Sequence, residues 1–192
     1  MDFFVHSRAA PNAGEPEPAL TEEHWSYMDR FAAGMIARGP TLAADRATWT
    51  GSVHIVNLPG AEAARDFVER EPYNRAGMYE QHVIWRFDNL LGRTMREFPG
   101  ECDDPIFMVI AQVHAVAGEH AVPPIDPPAL PPERLIVHGE LRTPDEGRPV
   151  GVVFALHAPT PQAAAALLER GPSHLGEQLD VLVRDWEIGG RR

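Results

Sequence analysis

The chain contains no lysine: all seventeen of its basic residues are arginine. Schiff-base chemistry and pyridoxal-phosphate attachment, which need a lysine amine, are excluded, and so is a P-loop. Cys102 is the one cysteine in 192 residues, so no disulfide can close within the chain, which fits a reducing compartment. No apolar run approaches the roughly 18 residues that would span a bilayer. The opening residues MDFFVHSRAA lack the charged start and sustained apolar stretch of a secretion signal. Positive charge is also scarce. With 28 acidic side chains the formal charge is −11, which argues against a phosphate-backbone partner. These absences lead to the expectation of a soluble, cytoplasmic protein whose partner is a small organic substrate, not nucleic acid or membrane.

What is present is ordinary globular material, 44% hydrophobic and 23% charged. The length suits one large domain or two of about 90 residues, each of which would gain by packing on the other. An internal repeat favours the second division. Gly51–Asn57 aligns with Gly151–His157, Ala63-Ala64 with Ala163-Ala164, Phe67–Arg70 with Leu167–Arg170, and Pro72 with Pro172. The offset is 100 residues without a gap, and it reaches back to Met35–Gly39 over Leu135–Gly139. One deletion later, Gly77–Phe87 lies over Gly176–Trp186. Such a constant offset implies two copies of one fold: residues 1–90, a linker at 91–104, and a degenerate copy at 105–188.

In the first copy, Phe3–Ser7 reads as a strand and residues 8–20 as a Pro-containing loop. Thr21 with Glu22-Glu23 is a helix start. Trp25, Met28, Phe31, Ala32, Met35 and Ile36 then recur at helical spacing until Gly39-Pro40 stops them. A short extended piece near Thr41–Ala44 would pair with Gly51–Asn57, Ala61–Glu69 is a second helix, and Gln81–Phe87 a last strand. The order is β-α-β-β-α-β, a ferredoxin-like unit. The second copy keeps its strands and second helix, but six prolines between Pro123 and Pro132 deny it a regular first helix. The expected fold class is therefore α+β. Two tandem ferredoxin-like units pack their sheets face to face into an intramolecular α+β barrel with a pocket between the sheets. The chain would be a pseudo-dimer in itself, with further homodimerisation left open.

Period-2 alternation groups Phe3, Val5, Val53, Ile55, Val83, Trp85 and Phe87 on one side. Phe4, His6, His54, Val56, His82, Ile84 and Arg86 fall on the other. His6 would then sit between His54 and His82. Three readings compete: a three-histidine metal site with nitrogens about 2.1 Å from one ion, polar lining of a substrate pocket, or histidines satisfied by backbone groups. The last, in which the histidines are partly exposed or satisfied by backbone groups, stands slightly ahead of pocket lining, and the metal site stands last, so no metal is expected. Phe154 and Val181 replace His54 and His82 in the second copy, so any polar site belongs to the first.

Several features in order resemble one family. They are FFV at the start, His24 with Tyr27 early in the first helix, Ala37-Arg38-Gly39-Pro40, Thr50-Gly51-Ser52, the helix 61–69, and EPYNRAGMYE at 71–80. Together they resemble the YCII-related family of the dimeric α+β barrel superfamily, well over 1–90 and weakly over 105–188. The resemblance implies an acid–base pair beside the barrel cavity, carried onto His24 and Glu71. The chain departs from the family in having Glu where Asp is usual, and the extra methylene could rearrange the contact. A carboxylate beside a histidine orients the ring and favours its protonated form, giving a base usable near neutral pH. Tyr73 and Tyr79 could close the cavity or donate a hydroxyl, and Arg86 could clamp an anionic substrate. The positions 100 residues after His24 and Glu71 are Pro124 and Gly171, so the second copy carries no pair.

The expected function is a small-molecule enzyme without organic cofactor, a lyase or isomerase serving specialised metabolism. His24 would move the proton, Glu71 would orient it, and Arg86 or a tyrosine would steady an enolate-like oxygen. The alternatives are a non-catalytic metabolite-binding or accessory protein, a cofactor-free monooxygenase, and a His-rich metal-dependent enzyme. Fold alone does not choose among them.

Overall fold

Short runs of aromatic and β-branched residues set the framework in a computed structural model that describes residues 1–113, 132–166, 168 and 179–190. The first half runs β1 (Asp2–Ala9), α1 (Pro18–Asp29), β2 (Met35–Leu42), β3 (Trp49–Asn57), α2 (Ala61–Glu69), α3 (Pro72–Arg75) and β4 (Tyr79–Asn89). The second runs β5 (Ile106–Val113), β6 (Leu135–Arg142), β7 (Pro149–His157), α4 (Pro161–Ala165) and β8 (Leu179–Trp186). The proline-rich stretch, where loss of the first helix is expected in the second half, lies outside the described residues.

The helix α2 and the strand over 51–57 lie where the sequence places them. The first helix does not. It starts at Pro18, whose fixed φ suits a first helical position, and Glu17 at the cap makes no side-chain hydrogen bond. It ends at Asp29, and the apolar residues from Met35 onward become strand β2. A short apolar run fits both periods, and here pairing with seven positions of β3 decides in favour of strand. Gly39 and Pro40 thus lie inside β2 instead of ending a helix. A Cβ on Gly39 would lie 1.8 Å from the carbonyl oxygen of Glu187, so the close approach of the chain after β8 requires glycine.

The strand order is β1-β3-β2-β8-β5-β7-β6-β4, and each strand has two hydrogen-bonded neighbours around a ring. Within it, β4-β1-β3-β2 and β8-β5-β7-β6 have the same order. The β2–β3 pairing shifts register at Met35/Ala37 and Thr41/Leu42, and β6–β7 shifts at Leu135/Val137 and Leu141/Arg142, 100 residues on. The expected barrel of two complete βαββαβ units, sheets packed face to face, is corrected by these pairings. The chain builds an α+β fold with a single ring-connected eight-stranded sheet, and the ring is not a barrel of even ladders. Its β2–β8 seam holds only the pairs Thr41↔Trp186 and Leu42↔Asp185, and the β4–β6 seam only four pairs. Pro40 helps to limit the first seam. Its carbonyl accepts from Glu187 N at 3.3 Å, so its side of the strand faces β8, where it has no N–H to give.

One face of the sheet points into the ring and buries Phe4, Val53, Ile55, Phe87, Met108, Ile110, Leu141, Val153 and Trp186. The other face of the first half buries Phe3, Val5 and Val56 against Met28 of α1 and Ala64 and Phe67 of α2. The expected grouping of β1 is therefore shifted by one residue. Val5 pairs with His54 and His6 with Val53, so His6 faces into the ring while His54 faces the helices. Alternation fixes faces within a strand but not the phase between strands. Phe3, Phe4 and Val5 are all fully buried because the sheet is covered on both sides, so β1 carries no amphipathic signal to set that phase.

Candidate active site

The site begins at the turn after α2. Pro72 opens α3 and Glu71 caps it, its Oε2 accepting from Asn74 N at 2.8 Å. The cap fixes the carboxylate, whose Oε1 lies 2.5 Å from Nδ1 of His24. Glu71 is 3% and His24 8% exposed, so the carboxylate is withdrawn from water and needs these donors. The glutamate that departs from the family's aspartate still reaches the imidazole directly.

With Nδ1 committed to Glu71, Nε2 is the free edge of the ring. It has no protein partner among the described residues, and His24 lines a cavity of about 380 Å³ between α1, β2, β3 and the chain after β8. Tyr73 stacks on the imidazole with ring centroids 4.3 Å apart and planes 2° off parallel. Its hydroxyl donates to Thr21 Oγ1 at 3.1 Å, which ties α3 to α1. His54 sits 5.7 Å from His24, ring to ring. Burial first, then the charges of His24 and Arg38, hold the His54 imidazole well below its usual range, so it is neutral. Burial raises the Tyr73 hydroxyl, and it raises that of Tyr79 well above the ordinary range; both stay protonated. Tyr79 shares a 2.6 Å hydrogen bond with Ser52 Oγ and packs behind the cavity against Trp49.

The structure brings together His24, Glu71, His54, Tyr73 and Tyr79 of the residues singled out in the sequence. His82 stands one layer back. Asn74 Oδ1 can only accept, so His82 Nε2 donates to it at 2.8 Å, and Nδ1 accepts from Ser7 Oγ at 2.9 Å. His82 thereby braces α3 and its cap. Two residues lie elsewhere. His6 faces into the ring, across the sheet from His54 and His82, so the three histidines do not converge. Arg86 pairs with Phe3 and Arg142 near the other end of β4 and lines a shallow hollow with Met1, Asp2 and Asn57. Among the described residues, no group of three or more His, Cys, Asp or Glu could hold a metal ion. The cavity beside the pair is also on the helix-covered face, not between two facing sheets.

Sequence reasoning missed Arg38, Trp25, Trp49 and the segment 187–190, all of which line this cavity. Arg38 is 5% exposed. Its Nη1 and Nη2 reach Asp29 Oδ1 at 3.4 and 3.3 Å, and its Nε has no hydrogen-bond partner. Arg38 stands in the Ala37–Pro40 motif, but the helix expected there hid its pairing with His54. Nothing in the sequence near residue 188 points to a site in the other half; only Gly189 N donating to Arg38 O at 2.8 Å reveals it.

Two relatives resemble about half of the chain. An uncharacterized protein of Haemophilus influenzae is 28% identical over 94 residues, 45% of this chain and 96% of the relative. The 5-chloro-2-hydroxyhydroquinone dehydrochlorinase of Burkholderia phenoliruptrix is 23% identical, over 48% of this chain and 99% of its own, with a TM-score of 0.41. A structure provisionally named chlorite dismutase TA0507 is similar over 97% of this chain and 94% of its own, with 11% identity and a TM-score of 0.52, a likeness of fold. No helix among the described residues is long and apolar enough to cross a membrane. Residues 1–88, which contain both His24 and Glu71, match the YCII-related domain family.

Proposed function

We propose that the chain is a small-molecule enzyme that transfers a proton through His24, with Glu71 as its orienting partner and without an organic cofactor. The buried 2.5 Å contact between His24 Nδ1 and Glu71 Oε1 carries this reading, because it leaves Nε2 as the reactive edge toward the cavity. His24 Nε2 takes a proton from carbon next to a carbonyl, or from an activated ring hydroxyl. The carboxylate at Nδ1 stabilises the imidazolium that forms. Arg38, whose Nε lacks a partner, supplies positive charge on the cavity wall where an enolate-like oxygen develops. It takes over the role expected of Arg86. Elimination or isomerisation completes the reaction when the proton returns to a leaving group or another carbon, so a lyase or isomerase is the specific reading. With dioxygen as co-substrate and the substrate carbanion as the electron donor, the same deprotonation would also open a cofactor-free monooxygenation, the second oxygen leaving as water.

We further read the chain as a tandem fusion with a degenerate second copy, the linker lying at 91–104. The repeated strand order and the register shifts 100 residues apart support this. Where the first half has His54 and Arg38, the second has Phe154 and His138, stacked at 4.7 Å, and no pair. Its contribution is a wall: residues 187–190 close the cavity of the first half.

The test is deuterium wash-in from D2O across 1,3-diketones, β-keto esters and hydroxyquinones, with wild type and His24→Asn compared. The expected result is exchange in one class that falls by about 10²–10⁴-fold in the variant. Exchange unchanged in His24→Asn would refute the role of His24. Saturable binding without any exchange would make the chain a metabolite-binding protein instead.

A further inference from the structure

The sheet ring holds a second cavity, of about 650 Å³, on the face opposite to the His24 pocket. Inner-face positions of a packed ring are expected to be apolar, and toward the other end they are, down to the buried Trp186. At this end the pattern breaks. His6 of β1, Gln81 of β4, Gln112 of β5 and Arg184 of β8 all line the cavity. Their placement follows from register, since His6 pairs with Val83, Gln112 with Asp180 and Arg184 with the inner-facing Met108.

Among the described residues, His6, Gln81 and Gln112 have no side-chain hydrogen bond to protein. Arg184 has only a 3.3 Å contact to the carbonyl of its own neighbour, Val183. His6, Gln112 and Arg184 are half-buried and Gln81 is exposed at the mouth, so their donors and acceptors are open to whatever fills the cavity. The charges also point one way. The lining holds two arginines and one acid, Asp180: Arg8 at the rim is paired with Glu80 at 2.7 Å, and Arg184 has no ion pair with a carboxylate among the described residues. The imidazole of His6 is held down to about 4 by burial and then by Arg184 and Arg8, so it offers one donor and one acceptor without adding charge. The floor of the cavity is Phe4, Ile110 and Leu182.

We propose that this ring mouth is a second ligand site that takes a small carboxylate with an apolar body. The carboxylate pairs with Arg184 and accepts from Gln81 or Gln112, and the body rests on Phe4 and Ile110. The site is independent of the His24 pocket, with which it shares only Trp49. The size matches small-ligand pockets, which commonly span about 300–1,000 Å³.

The test uses 4-bromobenzoate and its neutral counterpart 4-bromobenzamide, titrated calorimetrically into the full chain. The expected result is saturable binding of the acid, with the amide at least about tenfold weaker. Arg184→Gln should weaken the acid by at least about tenfold, while His24→Asn leaves it unchanged. Equal affinity for acid and amide, no saturable binding of the acid, or unchanged affinity in Arg184→Gln would overturn the proposal. If that variant does not fold, anomalous scattering from the bromine in wild-type crystals decides: a bromine at the ring mouth supports the site, and one only beside His24 refutes it.

Discussion

Replacing Glu71 by glutamine changes one oxygen to an NH2 group and removes a buried charge. Each carboxylate oxygen now serves one donor, Oε1 the Nδ1–H of His24 and Oε2 the backbone N–H of Asn74. A glutamine has one acceptor oxygen for these two donors. If its oxygen serves His24, its NH2 faces the Asn74 N–H and the α3 cap is lost; if it keeps the cap, its NH2 faces Nδ1, which then accepts as the Nε2–H tautomer, and the free base at Nε2 is lost. A hydrogen bond to a charged group is worth about 1.5–3 kcal/mol, and a buried donor left alone costs about 1–3 kcal/mol. The change of tautomer re-pairs the imidazole and the neutral amide relieves the desolvation of the carboxylate, so a loss at the low end of these ranges, about 1.5 kcal/mol, is expected. For a chain of this size that corresponds to a fall in Tm of about 3–6 °C. Differential scanning calorimetry at neutral pH measures it, with Glu71→Asp as the charge-retaining control. A Tm for Glu71→Gln within about 1 °C of wild type would mean that the contact does not hold the site together.

Acid should destabilise the fold through histidines that the structure keeps neutral. Burial holds His138 at about 4, and burial with two arginine charges holds His6 at about 4, both below the unfolded value near 6.5. A depressed pKa gives stability that is complete above pH 6.5 and is lost as pH falls toward 4, up to about 3 kcal/mol for each group. Urea titrations across that window should show the slope, and His138→Phe should remove its share; an unchanged slope would count against burial as the cause. Gly39→Ala sets a methyl against the Glu187 carbonyl, so about 2 kcal/mol of stability should be lost. Limited proteolysis should then cut the segment 187–190 faster than in wild type, and equal cleavage would show that the approach is not tight.

The part of the fold that was legible rests on strong local signals. Ala61–Glu69 has an apolar face and a following proline, and it appears with those bounds. His24 and Glu71 were identified by resemblance, and they meet. Other features depend on information that no local window carries. The phase of β1 is not legible in the sequence because Phe3, Phe4 and Val5 are all buried, leaving no polar side to mark solvent. Residues 35–40 read as helix because a strand covered on both faces has no alternation either. The ring does hold a cavity, but the one beside His24 lies on the other face for a related reason: it depends on which face α1 covers, and Arg38 joins it only because β2 is a strand. The wall formed by 187–190 is a contact between distant parts of the chain, set by β8 lying beside β2.

The central claim is that His24 and Glu71 act as one proton-transfer unit, and a double-mutant cycle tests it most directly. For the substrate class that exchanges deuterium, kcat/KM is measured for wild type, His24→Asn, Glu71→Gln and the double variant. Groups that act together lose their effect together, so the double variant should be no more than about twofold slower than His24→Asn alone. Losses that multiply, with the double variant slower by the product of the two single effects, would contradict the account.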